Sequence, residues 1–300
     1  MKERASNLDP DLRVPVARFF CWINERTQIA VKKEQGDKWP WTEDPILREF
    51  KFTNAFREDD RTTVWFRKWI RDPLQDSPEV YMAIVIFRWF NLIETGITLL
   101  ENDLLVNWDA KKAYDLIIPQ KKWITGAYMI KSPTGINKVK GICQTIDTVW
   151  KDRKRFLKKN QPPNSLQRMC TMLEGYPFLG PFLAYEIVTD LRHTDIGKSA
   201  KDIRTWANAG PGAMRGLNRI FGRELDYTSK KHGWNEEMRW LLNISGHFYE
   251  GPKRTFEMRE IEHSLCEFDK YERVRTGLGK PRSKYYPGKL NPTEYYQTDV

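Results

Sequence analysis

Along this chain the apolar residues return every three or four positions, and almost nowhere do they alternate. From Val14 to Lys33 the residues Val16, Phe19, Phe20, Ile23 and Ile29 mark one face of a helix, with Pro15 suited to its first turn. Gly36 ends that helix. Trp39-Pro40-Trp41-Thr42 then makes a stiff loop, and Asp44-Pro45-Ile46-Leu47 restarts a short helix capped by Thr42 or Asp44. Helical patterns follow over 61–71, 81–100, 109–117, 136–159, 166–173, 184–191, 235–244 and 256–271, whereas strand character is confined to Ala127-Tyr128-Met129-Ile130. An all-α fold is expected. The strongest internal break is Asn160-Gln161-Pro162-Pro163-Asn164, because paired prolines cannot continue the charged helix before them. It predicts a two-lobed helical bundle, 1–160 and 161–300, with a basic extension at the C-terminal end.

The most apolar stretch, 81–100, carries Arg88, Asn91 and Glu94, so it reads as a buried core helix rather than a bilayer span. No apolar run follows the charged Met1-Lys2-Glu3-Arg4, and the cytoplasm is the expected compartment. Cys21, Cys143, Cys170 and Cys266 are far apart and His193, His232, His247 and His263 form no HExxH, which predicts reduced thiols and no bound metal. Fifty Lys plus Arg against forty Asp plus Glu leave a net charge of +10. Such a chain favours a polyanion, and nucleic acid is the first candidate. Two basic runs, Lys151 to Lys159 with six Lys/Arg and Lys270 to Lys289 with seven, are either solvated faces or phosphate contacts.

The segment Leu173-Glu174-Gly175-Tyr176-Pro177-Phe178-Leu179-Gly180-Pro181-Phe182-Leu183-Ala184 runs from one helix through a tight turn into another. It resembles a helix-hairpin-helix, in which backbone N–H groups of a glycine-bearing turn meet a DNA phosphate. Gly180 is the turn glycine, and Phe178 stands where the usual Gly-x-Gly has its first glycine. In DNA glycosylases built on this motif an aspartate follows by roughly twenty residues and opens the next helical segment, a position held here by Asp202. Its carboxylate would stabilise oxocarbenium character at the sugar or orient a water; capping a local helix is the alternative, and Asp195 is a rival. Strand-cleaving relatives carry a lysine where this chain has Phe182, so the resemblance implies a monofunctional enzyme without Schiff-base chemistry.

Gly210-Pro211-Gly212 precedes a helix bearing Arg215 and Arg219, either an anion site at a helix start or a plain turn. No GxxxxGK[ST] occurs, which argues against a self-contained kinase. On the helix that runs through Arg259 to Tyr271, the residues Glu262, Cys266, Asp269 and Arg273 share a face at i, i+4, i+7 and i+11. That face is either a site or a set of solvated ion pairs. Asn54, Arg57, Asp60 and Arg61 cluster after Lys51-Phe52-Thr53, where Arg57 suits an anion and Asn54 a base edge, the alternative being a capped helix start near Asp60.

Taken together, Phe19 to Arg26, Trp39 to Leu47, Phe52 to Arg57, Thr205 to Arg219 and Glu262 to Tyr271 resemble a DNA base hypermodification family. That family is described as alpha-glutamyl/putrescinyl thymine pyrophosphorylase-like and as the helical domain accompanying 5-hydroxymethyluracil DNA kinases. The resemblance covers about Val14 to Tyr286 and implies a fold similar to helix-hairpin-helix DNA glycosylases. It implies action on pyrimidines with large 5-substituents in double-stranded DNA, with no cofactor and no obligate protein partner. The expected activity is a glycosylase that flips and excises such a base, suited to defence against phages with modified DNA. The alternative is a transferase attaching an amine or amino acid to an activated 5-hydroxymethyl pyrimidine, and a non-catalytic DNA-binding module comes third. On this basis Asp202, Asp60 and Glu262 are candidate catalytic carboxylates, and Trp41, Asn54, Arg57, Arg26 and Asn208 line the base pocket. Gly180, Gly210, Gly212, Arg215, Lys270 and Arg273 hold DNA.

Overall fold

A computed structural model describes residues 9–126, 128 and 130–287. Among them the chain is all-α, with a single isolated bridge between Phe50 and Lys284. Two residues of the expected strand, Ala127 and Met129, lie outside the described residues. The compact units do not follow the linear cut at 160. One is built from the chain up to Asp60 and resumed at Arg204, and the other is Arg61–Ile203. The reason is visible at the expected boundary, where Asn164 Nδ2 donates to the carbonyls of Asn160, at 3.0 Å, and Ile196, at 2.5 Å. Asn160 and Asn164 are buried inside the second unit, and only the residues between them reach the surface.

The first unit packs helix α1 (Pro10–Glu34) against α10 (Pro211–Ile220), α11 (Trp234–Phe248) and α12 (Met258–Arg275), with the short α2 (Pro45–Glu49) laid on α12. Helix α1 starts four residues before the expected point, since Asp9 caps it and Pro10 takes the first turn, which places Pro15 inside. Gly36, at φ +79°, ends it as expected. Phe19 and Phe20 of α1 meet Phe268 of α12 and Phe248 of α11 with ring centroids 5.4 and 5.1 Å apart. Asp44, rather than Thr42, caps α2 through the amides of Ile46 and Leu47.

The second unit is organised on α4 (Val80–Phe90), every residue of which is buried. The predicted helix over 81–100 is two helices, because Asn91 takes the left-handed conformation at φ 46° and the chain resumes as α5 (Ile93–Glu101). Around α4 lie α3 (Arg61–Phe66), α6 (Ala110–Ile117), α7 (Lys138–Lys159), α8 (Leu166–Glu174) and α9 (Pro181–Leu191). Arg88 is carried into this core by Asp190 of α9, with a second guanidinium contact to Asp190 Oδ1 at 2.9 Å. A buried charge is tolerable only with such a partner. Among the described residues no helix is long and apolar enough to cross a membrane.

Candidate active site

The first unit gathers titratable groups where the loop 52–60 crosses α12. Thr53 is held at both ends: its amide donates to Glu267 Oε2 at 2.9 Å, and its hydroxyl lies 2.9 Å from His263 Nε2. Asn54 then folds the loop on itself, its amide donating to Asp60 Oδ1 at 2.8 Å and its Nδ2 to the Asp59 carbonyl at 2.7 Å. Arg26, buried on α1, donates to the Thr53 carbonyl at 3.1 Å and to Asn54 Oδ1 at 2.8 Å. The outcome of these bonds is the placement of Asp60, whose Oδ2 stands 3.9 Å from His263 Nε2. Two residues expected to touch a base therefore build the loop instead. Both side-chain polar atoms of Asn54 are engaged within the protein, and Arg26 is spent on the loop backbone and on Asn54 itself.

Burial raises the Asp60 carboxyl above the ordinary carboxylate range, opposed by His263, the Asn54 amide and Arg57. Burial also pushes Glu267 up, but Lys270 and His263 outweigh it and its carboxyl ends below the usual value. Lys270 donates to Glu267 Oε2 at 2.7 Å and lies 4.7 Å from the centre of the Phe52 ring. Two acids in one cluster thus sit on opposite sides of their normal range, the arrangement that separates a proton acceptor from a fixed counter-charge. Nearby, Lys33 is held below its ordinary value by burial and by the positive charges of Arg26 and Lys51. Of these causes it is the two neighbouring cations, not the burial, that favour an anion here. Lys33 also lies 5.2 Å from the ring centre of Trp41, which packs edge-on to Tyr285 and donates its indole N–H to the Asp37 carbonyl at 2.7 Å.

The other expected site residues are placed differently. Asp202 does not open a helix; it caps α8, accepting from the amides of Leu166 at 2.8 Å and Gln167 at 3.0 Å and from the Ser165 hydroxyl at 2.7 Å. Both carboxylate oxygens are committed to that cap, and Asp202 belongs to the second unit, whereas Asp60 belongs to the first. Glu262, Cys266, Asp269 and Arg273 do share a face of α12, and that face packs along α10. Asp269 is fully buried and accepts from Arg215 Nε at 2.8 Å and Arg219 Nε at 2.9 Å, with Arg273 Nε at 3.5 Å. Arg215 and Arg273, expected on phosphate, are thus tied to a carboxylate. A Cβ at Gly212 would stand 2.4 Å from Cys266 Sγ, and the nearest side-chain atom to one at Gly210 would be Glu262 Oε1 at 3.9 Å. Gly212 lets α10 approach α12, and the Glu262 carboxylate lies beside the helix start at Gly210. Burial, then Glu262, pushes the Cys266 thiol up to about 12, far from a thiolate nucleophile. Arg57 is buried in the loop and acts electrostatically on Asp60. Asn208 is half-buried in the segment before Gly210.

His263, Glu267 and Thr53 were missed in the sequence. Their signal was the spacing of His263, Glu267 and Lys270 at i, i+4 and i+7 on α12, the face adjoining the one that was singled out. A separate cavity of about 300 Å³ in the same unit is lined by Arg18, Cys21, Trp22, Glu25, Asp44 and Tyr271, among others. Glu25 accepts from the Thr42 hydroxyl and Asp44 from the Tyr271 hydroxyl at 2.6 Å, and neither carboxylate forms an ion pair among the described residues.

Comparison with known proteins gives this geometry its context. A protein of Bacillus phage SP10 named 5-hmdU DNA kinase is 25% identical over a 286-residue alignment, which covers 84% of this chain and 44% of the relative. The chain therefore spans less than half the length of the curated relative it matches. No solved structure matches it. The family described as 5-hmdU DNA kinase, helical domain, matches residues 14–280, and with nearly the whole chain so covered, the protein belongs to that family.

Proposed function

We propose that this protein is a transferase of DNA base hypermodification, replacing the phosphate of an activated 5-hydroxymethyl pyrimidine in DNA with an amine or amino acid. The observation that carries the reading is the Asp60–His263 pair beside the positive field of Arg26, Lys33 and Lys51. The cations suit a phosphorylated 5-substituent, and the raised carboxyl suits a proton acceptor. The target base must leave the stack to reach such a site. In the step proposed, the amine nitrogen attacks the 5-methylene carbon and a C–N bond forms. The C–O bond to phosphate breaks, the phosphate leaves with the electron pair, and the nitrogen's proton passes to Asp60. The acidic and aromatic cavity at Glu25, Asp44 and Tyr271 is suited to an ammonium group and supplies a place for the co-substrate.

A glycosylase would need a carboxylate free to face the sugar, and Asp202 has neither oxygen free. The role in defence belongs to that reading and weakens with it. Asp60 is the carboxylate left for either chemistry, so one experiment separates them. Purified protein is incubated with DNA carrying the phosphate ester of 5-hydroxymethyluracil and isotope-labelled amino acids or diamines, and digested nucleosides and released bases are weighed by mass spectrometry. A labelled thymidine derivative with release of phosphate, slowed about 100-fold or more in Asp60→Asn, is expected. A free modified base would establish the glycosylase instead; intact DNA with every amine tested would overturn both.

A further inference from the structure

Among the described residues of the second unit, the turn between α8 and α9 is the one place where large aromatic side chains stand out of the surface together. Phe178 is 41% and Phe182 51% exposed. Phe178 also holds φ at +61°, a left-handed conformation that glycine adopts freely and that costs an L side chain about 1–2 kcal/mol. Exposure and backbone strain both disfavour a phenylalanine here, an arrangement that points to a role for the ring outside the fold. Together with Ile130, Lys131, Tyr176 and Pro181, the two rings line an open cavity of about 420 Å³. Tyr128 packs edge-on to Phe182 at 4.9 Å, which fixes that ring from one side.

Charge surrounds this aromatic shelf. The Tyr176 hydroxyl donates to Asp152 Oδ2 at 2.6 Å, so the turn is fastened to the basic end of α7. There Lys159, on the face of α7 that carries Asp152, is exposed and forms no ion pair among the described residues, while Lys131 lines the cavity itself beside Glu174. Flat apolar faces beside uncommitted ammonium groups are the two halves of a single-strand site: bases stack on rings whatever their identity, and the ammonium groups take the backbone. Around the Gly180 end of the turn a Cβ would meet nothing within 4 Å, so a strand has room to approach.

We propose that the α8–α9 turn is a stacking platform for unpaired DNA bases, with Phe178 and Phe182 as the stacking rings and Lys131 and Lys159 as the phosphate contacts. This rests on the reading of the chain as DNA-acting, and deepens it. It assigns to the turn the strand or the gap opened when a base is taken from the duplex, while chemistry stays with Asp60.

The test is fluorescence anisotropy with a labelled oligothymidylate of about twelve nucleotides and with an unmodified duplex, for wild type, Phe178→Gly, Phe182→Ala and Lys131→Glu/Lys159→Glu. Phe178→Gly is the decisive variant, because glycine relieves the left-handed backbone and keeps or raises the melting temperature. Each aromatic variant is expected to bind the single strand about tenfold more weakly, with duplex binding unchanged. The lysine variant is expected to lower affinity for both and flatten the salt dependence. Unchanged single-strand affinity in both aromatic variants, or equal loss on single strand and duplex, overturns the platform. If wild type binds neither DNA at low salt, the platform and the DNA-acting reading fail together; if wild type binds and modifies DNA while the aromatic variants match it, the platform fails alone.

Discussion

Gly180-Pro181 and Gly210-Pro211 open helices with nearly the same backbone, φ −76° and ψ 174° at Gly180 against φ −72° and ψ 171° at Gly210. Neither helix start has a side-chain cap, both carry proline in the first turn, and both were expected to hold DNA. Their surroundings are opposite. Beyond Gly180 there is open space flanked by exposed rings, whereas α10 lies so close to α12 that a Cβ at Gly216 would stand 2.5 Å from the Leu265 carbonyl oxygen. The arginines after Gly210 are folded onto buried Asp269, while the lysines near Gly180 are uncommitted. A glycine-proline pair therefore specifies how a helix begins, and the packing around it decides whether the start is an interface or an interior.

The contrast breaks most readily at Asp269. Replacing it with alanine leaves Arg215 and Arg219 without their carboxylate, and a loss of about 3–5 kcal/mol is expected in urea unfolding; a loss below about 1 kcal/mol would mean that these arginines were free for another partner. Gly216→Ala forces a methyl against backbone that cannot rotate away and is expected to cost about 1–3 kcal/mol. Asp202→Ala removes the cap of α8 and should cost about 1–2 kcal/mol while leaving the modification rate unchanged. Loss of activity at full stability would return Asp202 to the chemistry. Gly180→Ala is expected to stay within about 0.5 kcal/mol of wild type, since nothing lies near the added methyl. Comparable destabilisation at Gly180 and Gly216 would erase the distinction between the two helix starts.

How much of the site was legible follows the same line. Asp60 was picked out as part of a cluster with Asn54 and Arg57, because four polar residues after Lys51-Phe52-Thr53 are visible in a linear reading. His263 and Glu267 were passed over because their partner Thr53 lies more than two hundred positions away. Asp202 was singled out by its distance from the hairpin, and its distance could not reveal that the start of α8 folds back onto it. The boundary at 160 failed for the same reason: prolines end a helix locally but say nothing of what the following turn packs against.

By itself the sequence determined most of the helices, the cap of the short α2 within Thr42 to Asp44, and the burial of α4, because periodicity, capping and backbone restriction act within a few residues. Only the tertiary structure decided which carboxylates were consumed and which stayed available. Asp190, Asp202 and Asp269 are taken up by arginines or backbone amides brought from distant segments, and Asp60 is set beside His263. A charge buried in a fold must find its partner through space, and that partner is written nowhere near it along the chain.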